Sequence, residues 1–145
     1  MNQAVQLMVV DDDEIDVMGI TRALREHQVA NSIAVAGDGI EALEMLRGEN
    51  GKDLVPQPVL VLLDLNMPRM GGIEFLKEIR ADEKLKNLIV LVLTTSDDER
   101  DIASAYSNNV AGYITKKNAG EEFVNLVRLI EDYWTLVVFP VPDTA

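Results

Sequence analysis

The stretch "VLVLLDLNMPRMGG", Val59 to Gly72, runs five apolar residues into a carboxylate and then into a turn. Unbroken apolarity without polar alternation describes a strand covered on both faces, as in a parallel sheet. Pro68, Gly71 and Gly72 then interrupt the chain before Ile73, Leu76 and Ile79 recur at helical spacing. A strand, a turn and a helix in that order put Asp64 at the carboxyl end of a buried strand.

The same unit repeats outward from this stretch. Short apolar runs stand at 5–10 ("VQLMVV"), 32–36 ("SIAVA"), 58–63 ("PVLVLL"), 88–93 ("LIVLVL") and 111–115 ("AGYIT"). Helical spacing follows in Ile15, Met18 and Leu24 after "DDDE", and in Ile40, Leu43 and Leu46 after "GDG". Two more helices are predicted over 98–108 and 119–134, the latter with Phe123, Leu126, Val127 and Ile130 on one face. Alternation of this kind predicts an α/β domain, a doubly wound parallel sheet between two helical layers with right-handed crossovers. The segment "GENGKDLVPQP", 48–58, is long and rich in Gly and Pro, so it is expected to be an exposed loop before the third strand.

Composition narrows the chemistry. The chain has 145 residues, 48% hydrophobic and 26% charged, which is enough for one globular domain with a core. It contains no cysteine, so disulfides, thiolate metal sites and cysteine nucleophiles are excluded. A net charge of −12 repels phosphate backbones and anionic lipid, which argues against nucleic-acid and membrane partners. The N-terminus carries neither a basic leader nor a long apolar run, and a cytoplasmic location is expected.

Polar residues gather where the strands end: Asp11 and Asp12 after the first, Asp64 after the third, Thr94 and Thr95 after the fourth, Lys116 after the fifth. Ligands of open parallel sheets bind outside these carboxyl ends, where the strand order reverses. Were the order 2-1-3-4-5, Asp11, Asp12 and Asp64 would converge. Three carboxylates repel one another unless a cation intervenes, and an all-oxygen donor set suits Mg²⁺. A carboxylate nucleophile, a metal, an ammonium and a hydroxyl together make the apparatus of phosphoryl transfer. Taken singly, each residue has a plainer reading: Asp11 to Asp13 as helix caps, Asp64 as a turn former, Tyr113 as a core aromatic, His27 as a surface residue. Their joint order and spacing favour the site.

The strings "VVDDDE", "LLDLNMPRMGG", "LVLTTS" and "GYITKK" together resemble the motif series of the response-regulator receiver domain, the phosphoacceptor of two-component signalling. The likeness spans residues 5 to 133, leaving 134–145 as a C-terminal extension of a single domain covering 1–145. It implies a flavodoxin-like (βα)5 fold of three α/β/α layers with strand order 2-1-3-4-5. It implies Asp64 as the phosphorylated residue, and Mg²⁺ or Mn²⁺ held by Asp11, Asp12, Asp64 and the main-chain oxygen of Asn66. Thr94 then matches the switch hydroxyl, Tyr113 the switch aromatic and Lys116 the phosphate-pairing lysine. Lys117 departs from the pattern, standing where receivers usually carry proline, and this leaves the aim of Lys116 open.

What the resemblance implies is a signalling protein rather than an enzyme, limited to self-phosphorylation from small donors and slow autodephosphorylation. Loop 48–58 and the tail "YWTLVVFPVPDTA" are similar to those of stand-alone regulators serving phytochrome-type sensor histidine kinases. The expected partners are such a kinase or a histidine phosphotransfer protein. A second copy of the chain is also expected, paired through the last helix and tail, because Tyr133, Trp134 and "LVVF" at 136–139 crowd apolar surface into a short end segment; the plainer reading is that the tail folds back on the chain's own helices. Two rivals remain: an aspartate-nucleophile phosphatase of the haloacid dehalogenase type, and a flavodoxin-like FMN carrier.

Overall fold

In the computed structural model, which describes residues 6–26, 32–116, 129, 132 and 138–140, the apolar run before Asp64 is β3, Val59–Leu63, buried along its whole length. It pairs in parallel with β1, Gln6–Val10, on one side and with β4, Ile89–Thr94, on the other. Outside these lie β2, Ile33–Ala36, and β5, Gly112–Thr115, so the sheet order is β2-β1-β3-β4-β5. Each predicted strand is present to within about a residue, and the order is the one the resemblance implied. The described helices are α1 (Glu14–Glu26), α2 (Gly39–Arg47), α3 (Gly72–Ala81) and α4 (Glu99–Ser107). His27, Lys117, the predicted helix 119–134 except Leu129 and Asp132, and the tail except 138–140 lie outside the described residues.

The strands carry no polar alternation because helices cover both faces. On one face Met8, Val10, Val61, Leu63, Val90 and Val92 meet Leu43 and Leu46 of α2 and Phe75, Leu76 and Ile79 of α3. On the other, Leu7, Val9, Leu60, Leu62, Leu91 and Leu93 meet Ile20 and Leu24 of α1 together with Phe139 from the tail. Burial of each such side chain is worth about 1.5–3 kcal/mol, so this packing carries the stability a chain without disulfides needs. In α1 the packed stripe is Val17, Ile20 and Leu24, whereas Ile15 and Met18 are 81% and 59% exposed. The turn of the helix explains this: 17, 20 and 24 share one face, and 15 and 18 point away from it.

Local chemistry fixes where the loops leave the sheet. Asp38 caps α2 by accepting the Glu41 N–H at 2.9 Å, and Gly48, with φ 68, ends that helix in the left-handed region that favours glycine. Loop 48–58 is mostly exposed and is tacked down where the Val55 N–H meets the Met45 carbonyl at 2.9 Å. At the opposite end of α3, the Arg80 guanidinium donates to the carbonyls of Lys86, Leu88, Asn108 and Asn109. It ties α3 to the turns that precede β4 and β5. The residues that follow β1 and β3 are thereby left together at the rim where the strand order reverses.

Candidate functional site

The acidic run after β1 divides its labour. Asp13 caps α1, accepting the N–H groups of Ile15 at 2.9 Å and Asp16 at 3.2 Å. That satisfies the helix end and frees the other two carboxylates. Asp11, 4% exposed, accepts the Asp13 N–H at 2.9 Å, while Asp12 stays exposed on the cleft. Asp64 is placed by its N–H to the Val10 carbonyl at 2.9 Å, and its Oδ1 accepts the Leu65 N–H at 2.8 Å. Glycine is required at 72, because a Cβ there would lie 2.5 Å from the Asp64 carbonyl oxygen. One carboxylate oxygen each from Asp11, Asp12 and Asp64 lie within 4.8 Å of one another.

Lys116, at the end of β5, reaches across to this cluster. Its Nζ donates to Asp11 Oδ2 at 2.9 Å and to Asp16 Oδ2 at 2.6 Å, and stands 3.8 Å from Asp64 Oδ2. Burial alone would lower its pKa, but the hydrogen bonds to Asp16 and Asp11 carry it above the ordinary lysine value. For Asp11 the balance goes the other way. Burial of its carboxyl lifts its pKa, outweighing the Lys116 contact, and the nearby Asp64 charge pushes in the same direction. The contact is the same on both sides, but the lysine gains several acidic partners, while Asp11 gains a share of one ammonium and the Asp13 N–H. A cluster of oxygen donors with too little positive charge fits a hard divalent cation of the Mg²⁺ or Mn²⁺ kind.

The cleft over these groups, about 580 Å³, is lined by Asp12, Asp13, Glu14, Ile15, Asp16, Asp64, Asn66, Thr95 and Lys116. Beyond the end of β4 its wall is Thr95 rather than Thr94. Thr94 is fully buried, and its Oγ1 accepts the Ser96 N–H at 3.4 Å. Strand alternation gives the reason: Val90 and Val92 pack on the face that holds Tyr113, and Thr94 continues that row. Ser96 links the neighbouring groups. Its carbonyl accepts the Tyr113 hydroxyl at 2.8 Å, and its own hydroxyl donates to Asp101 Oδ2 at 2.6 Å. Burial raises the Tyr113 pKa, and Asp101, Asp97 and Asp98 at the start of α4 add to the rise.

Asp11, Asp12, Asp64, Asn66 and Lys116 are thus brought together, Thr94 lies one layer beneath, and Tyr113 connects to it through Ser96. Reading the sequence missed Asp16 and Ser96. Asp16 had a signal, since as an acid in the first turn of the helix that follows Asp11 to Asp13 it stays near the carboxyl end of β1; the Ser96 contacts to Thr94 and Tyr113 run through its main chain and had none. A second groove of about 600 Å³ lies under loop 48–58, lined by Leu46, Leu54, Val55, Pro56 and Leu85 among others. There Asp82 is paired with Arg47 at 3.1 Å, and the lining acids Glu49 and Asp82 stand with the cations Arg47 and Lys84, so similar volume comes with balanced charge.

The family model for the response regulator receiver domain matches residues 7–128. Response regulator Rcp1 of Synechocystis sp. is 32% identical over 128 residues, covering 88% of this chain and 87% of its own. The solved structure of the phosphorylated cyanobacterial phytochrome response regulator RcpA superposes with a TM-score of 0.81 at 34% identity, covering 94% of this chain and 98% of that one. The Mn²⁺-bound form of Rcp1 superposes with a TM-score of 0.79 at 28% identity, covering 94% and 99%.

Proposed function

This chain belongs to the response regulator receiver family, and on that premise we propose that it is a single-domain phosphoacceptor that takes a phosphoryl group from a sensor histidine kinase onto Asp64. The kinase is of the phytochrome type, or a histidine phosphotransfer protein stands in between. The observation that carries this reading is the position of the Asp64 carboxylate at the sheet's switch point, within 4.8 Å of the Asp11 and Asp12 oxygens and 3.8 Å from Lys116 Nζ.

The Leu65 N–H occupies Asp64 Oδ1, so Oδ2 is the oxygen available for attack. It forms a bond to phosphorus while the phosphorus–nitrogen bond of the donor imidazole breaks, its electron pair returning to the ring nitrogen. Lys116 then exchanges Asp16 for a phosphoryl oxygen. Asp11, Asp12, Asp64 and the Asn66 main-chain oxygen hold Mg²⁺ or Mn²⁺, which when bound offsets the charge of the phosphoryl group. Water later attacks phosphorus and releases phosphate, restoring the carboxylate. The same apparatus accepts a small donor such as acetyl phosphate.

The switch follows from the buried hydroxyl. When Thr94 Oγ1 turns to a phosphoryl oxygen it releases the Ser96 N–H, and Ser96 is what holds Tyr113, so the surface of α4 and β5 responds. Neither rival is favoured. A phosphatase of the haloacid dehalogenase type wants a second carboxylate two residues after the first, where Asn66 stands, and a flavin phosphate would be repelled by the acidic run after β1.

With acetyl phosphate and Mg²⁺ the wild-type chain should gain the mass of one phosphoryl group, and Asp64→Asn should gain none. Uptake by Asp64→Asn would refute the assignment. Thr94→Ala should still be phosphorylated but lose the change in amide shifts around Tyr113. We propose also that the chain pairs with a second copy through the helix predicted over 119–134 and the tail. Phe139, 3% exposed, anchors the tail in the α1-side core, while Val138 beside it is 91% exposed and Leu129 is 41% exposed. Light scattering should show a dimer for the full chain and a monomer for one ending at Asp132.

A further inference from the structure

One residue of the turn that follows Asp64 has an unfavourable backbone and an arginine side chain where glycine would relieve the strain. Arg69 has φ 62, the left-handed region that costs any residue with a Cβ. Its side chain shows what is gained in exchange. The guanidinium forks onto Asp38, Nε to Oδ2 at 2.7 Å and Nη2 to Oδ1 at 3.1 Å. Asp38 is itself fixed, being 7% exposed and bound to the Glu41 N–H at the start of α2. Beside the fork, the Gly39 N–H donates to the Met70 carbonyl at 3.0 Å, and a Cβ on Gly39 would lie 2.7 Å from Met70 Cγ. The loop after β3 is therefore fastened to the loop after β2 next to Arg69, three positions beyond Asn66.

Resting on the phosphoacceptor reading, we propose that Arg69 is a positioning residue: its fork onto Asp38 braces the β3–α3 loop so that Asp64 and the Asn66 main-chain oxygen are held where Mg²⁺ binds. Two features separate this from a role in stability alone. Arg69 is more than half exposed, so as an isolated surface ion pair the contact would contribute little. And the fork closes on the segment that carries the ligands, so its loss frees that segment to leave its binding geometry.

The test is Mg²⁺ titration followed by amide shifts, at fixed ionic strength, for the wild type, Arg69→Gly, Asp38→Asn and the double variant. Glycine removes the strain along with the fork, and asparagine keeps the helix cap while removing the charge, so both variants should fold. Each single variant should bind Mg²⁺ about tenfold more weakly, the lower end of what removal of a ligand-orienting group costs. The double variant should lose no more than either single one, because both ends belong to one contact. At saturating Mg²⁺ their phosphorylation rates from acetyl phosphate should match the wild type, since the brace acts on binding and not on the chemical step. Wild-type affinity in Arg69→Gly, losses that add in the double variant, or a rate defect that saturating Mg²⁺ does not repair would overturn the brace alone. A wild-type chain that shows no Mg²⁺-dependent shifts would overturn the phosphoacceptor reading with it.

Discussion

Asp11 and Asp38 stand on neighbouring loops of one rim, 4% and 7% exposed, each against a cation, yet their pKa values move in opposite directions. Burial pushes both up. For Asp38 the Arg69 fork and the Glu41 N–H pull harder, and its carboxyl ends below the usual range. For Asp11 burial prevails, because Lys116 is shared with Asp16 and the Asp64 charge lies close by. A carboxylate that holds structure together is supplied with its donors, whereas one that serves a ligand is left short of positive charge. Volume alone does not mark the difference, since the groove under loop 48–58 is as large as the acidic cleft.

The largest effect that would sharpen this contrast is on metal binding. Asp12→Ala removes one of three anionic oxygens from the cleft and should weaken Mg²⁺ by at least tenfold, about 1.4 kcal/mol, read from the amide-shift titration. A distant acid outside the cluster, Asp53 in the exposed loop that leads into the amino end of β3, should give no such loss when changed to Ala. Equal losses at both positions would mean that only the net charge of −12 draws the ion, and that the cluster is not a site.

The same contrast marks what the sequence could and could not disclose. Strands and their ends were legible because apolar runs such as "VLVLL" are set by burial on both faces, and Asp11, Asp12, Asp64 and Lys116 stand at those ends. Helix faces were less so: Ile15 and Met18 have helical spacing but are exposed, since the stripe that packs begins at Val17. The resemblance located Thr94, but nothing in the sequence said that Thr95 would form the cleft wall while Thr94 lay beneath it. Nor did it disclose the Arg69–Asp38 fork, which joins residues far apart in the chain through a left-handed turn that local patterns do not encode.

A middle-sized effect is expected at the structural carboxylate. Asp38→Ala loses a helix cap worth about 1 kcal/mol together with the Arg69 pair, so the midpoint of urea unfolding should fall. Asp38→Asn keeps the cap and should lose less. The pH dependence has a fixed sign. The folded-state pKa of Asp38 lies below its unfolded value, so its contribution is present above that unfolded value, near pH ~4, and disappears as pH falls through the folded one. The Asp38→Ala variant should therefore lose stability less steeply in acid than the wild type. Parallel acid profiles would show that Arg69 does not hold the Asp38 charge.

The smallest effect is the one with the unexpected sign. Because the folded environment of Asp11 raises its pKa, its ionised form carries a stability penalty at neutral pH that is relieved as pH falls through the raised value. Asp11→Asn mimics the protonated form and leaves Lys116 with Asp16 as a partner at 2.6 Å. In metal-free buffer at neutral pH the variant should therefore melt slightly above the wild type, and the gain should vanish in acid, where Asp11 itself is protonated. Lys116 does not mask this, since its pKa is raised and its contribution persists until strongly alkaline pH. Added Mg²⁺ should reverse the order, because an ion that binds only the folded wild type stabilises it by mass action and has lost a ligand in the variant. Asp11→Asn melting below the wild type in metal-free buffer would mean that Lys116 fully satisfies Asp11, and that the difference between the two carboxylates is not one between site and scaffold.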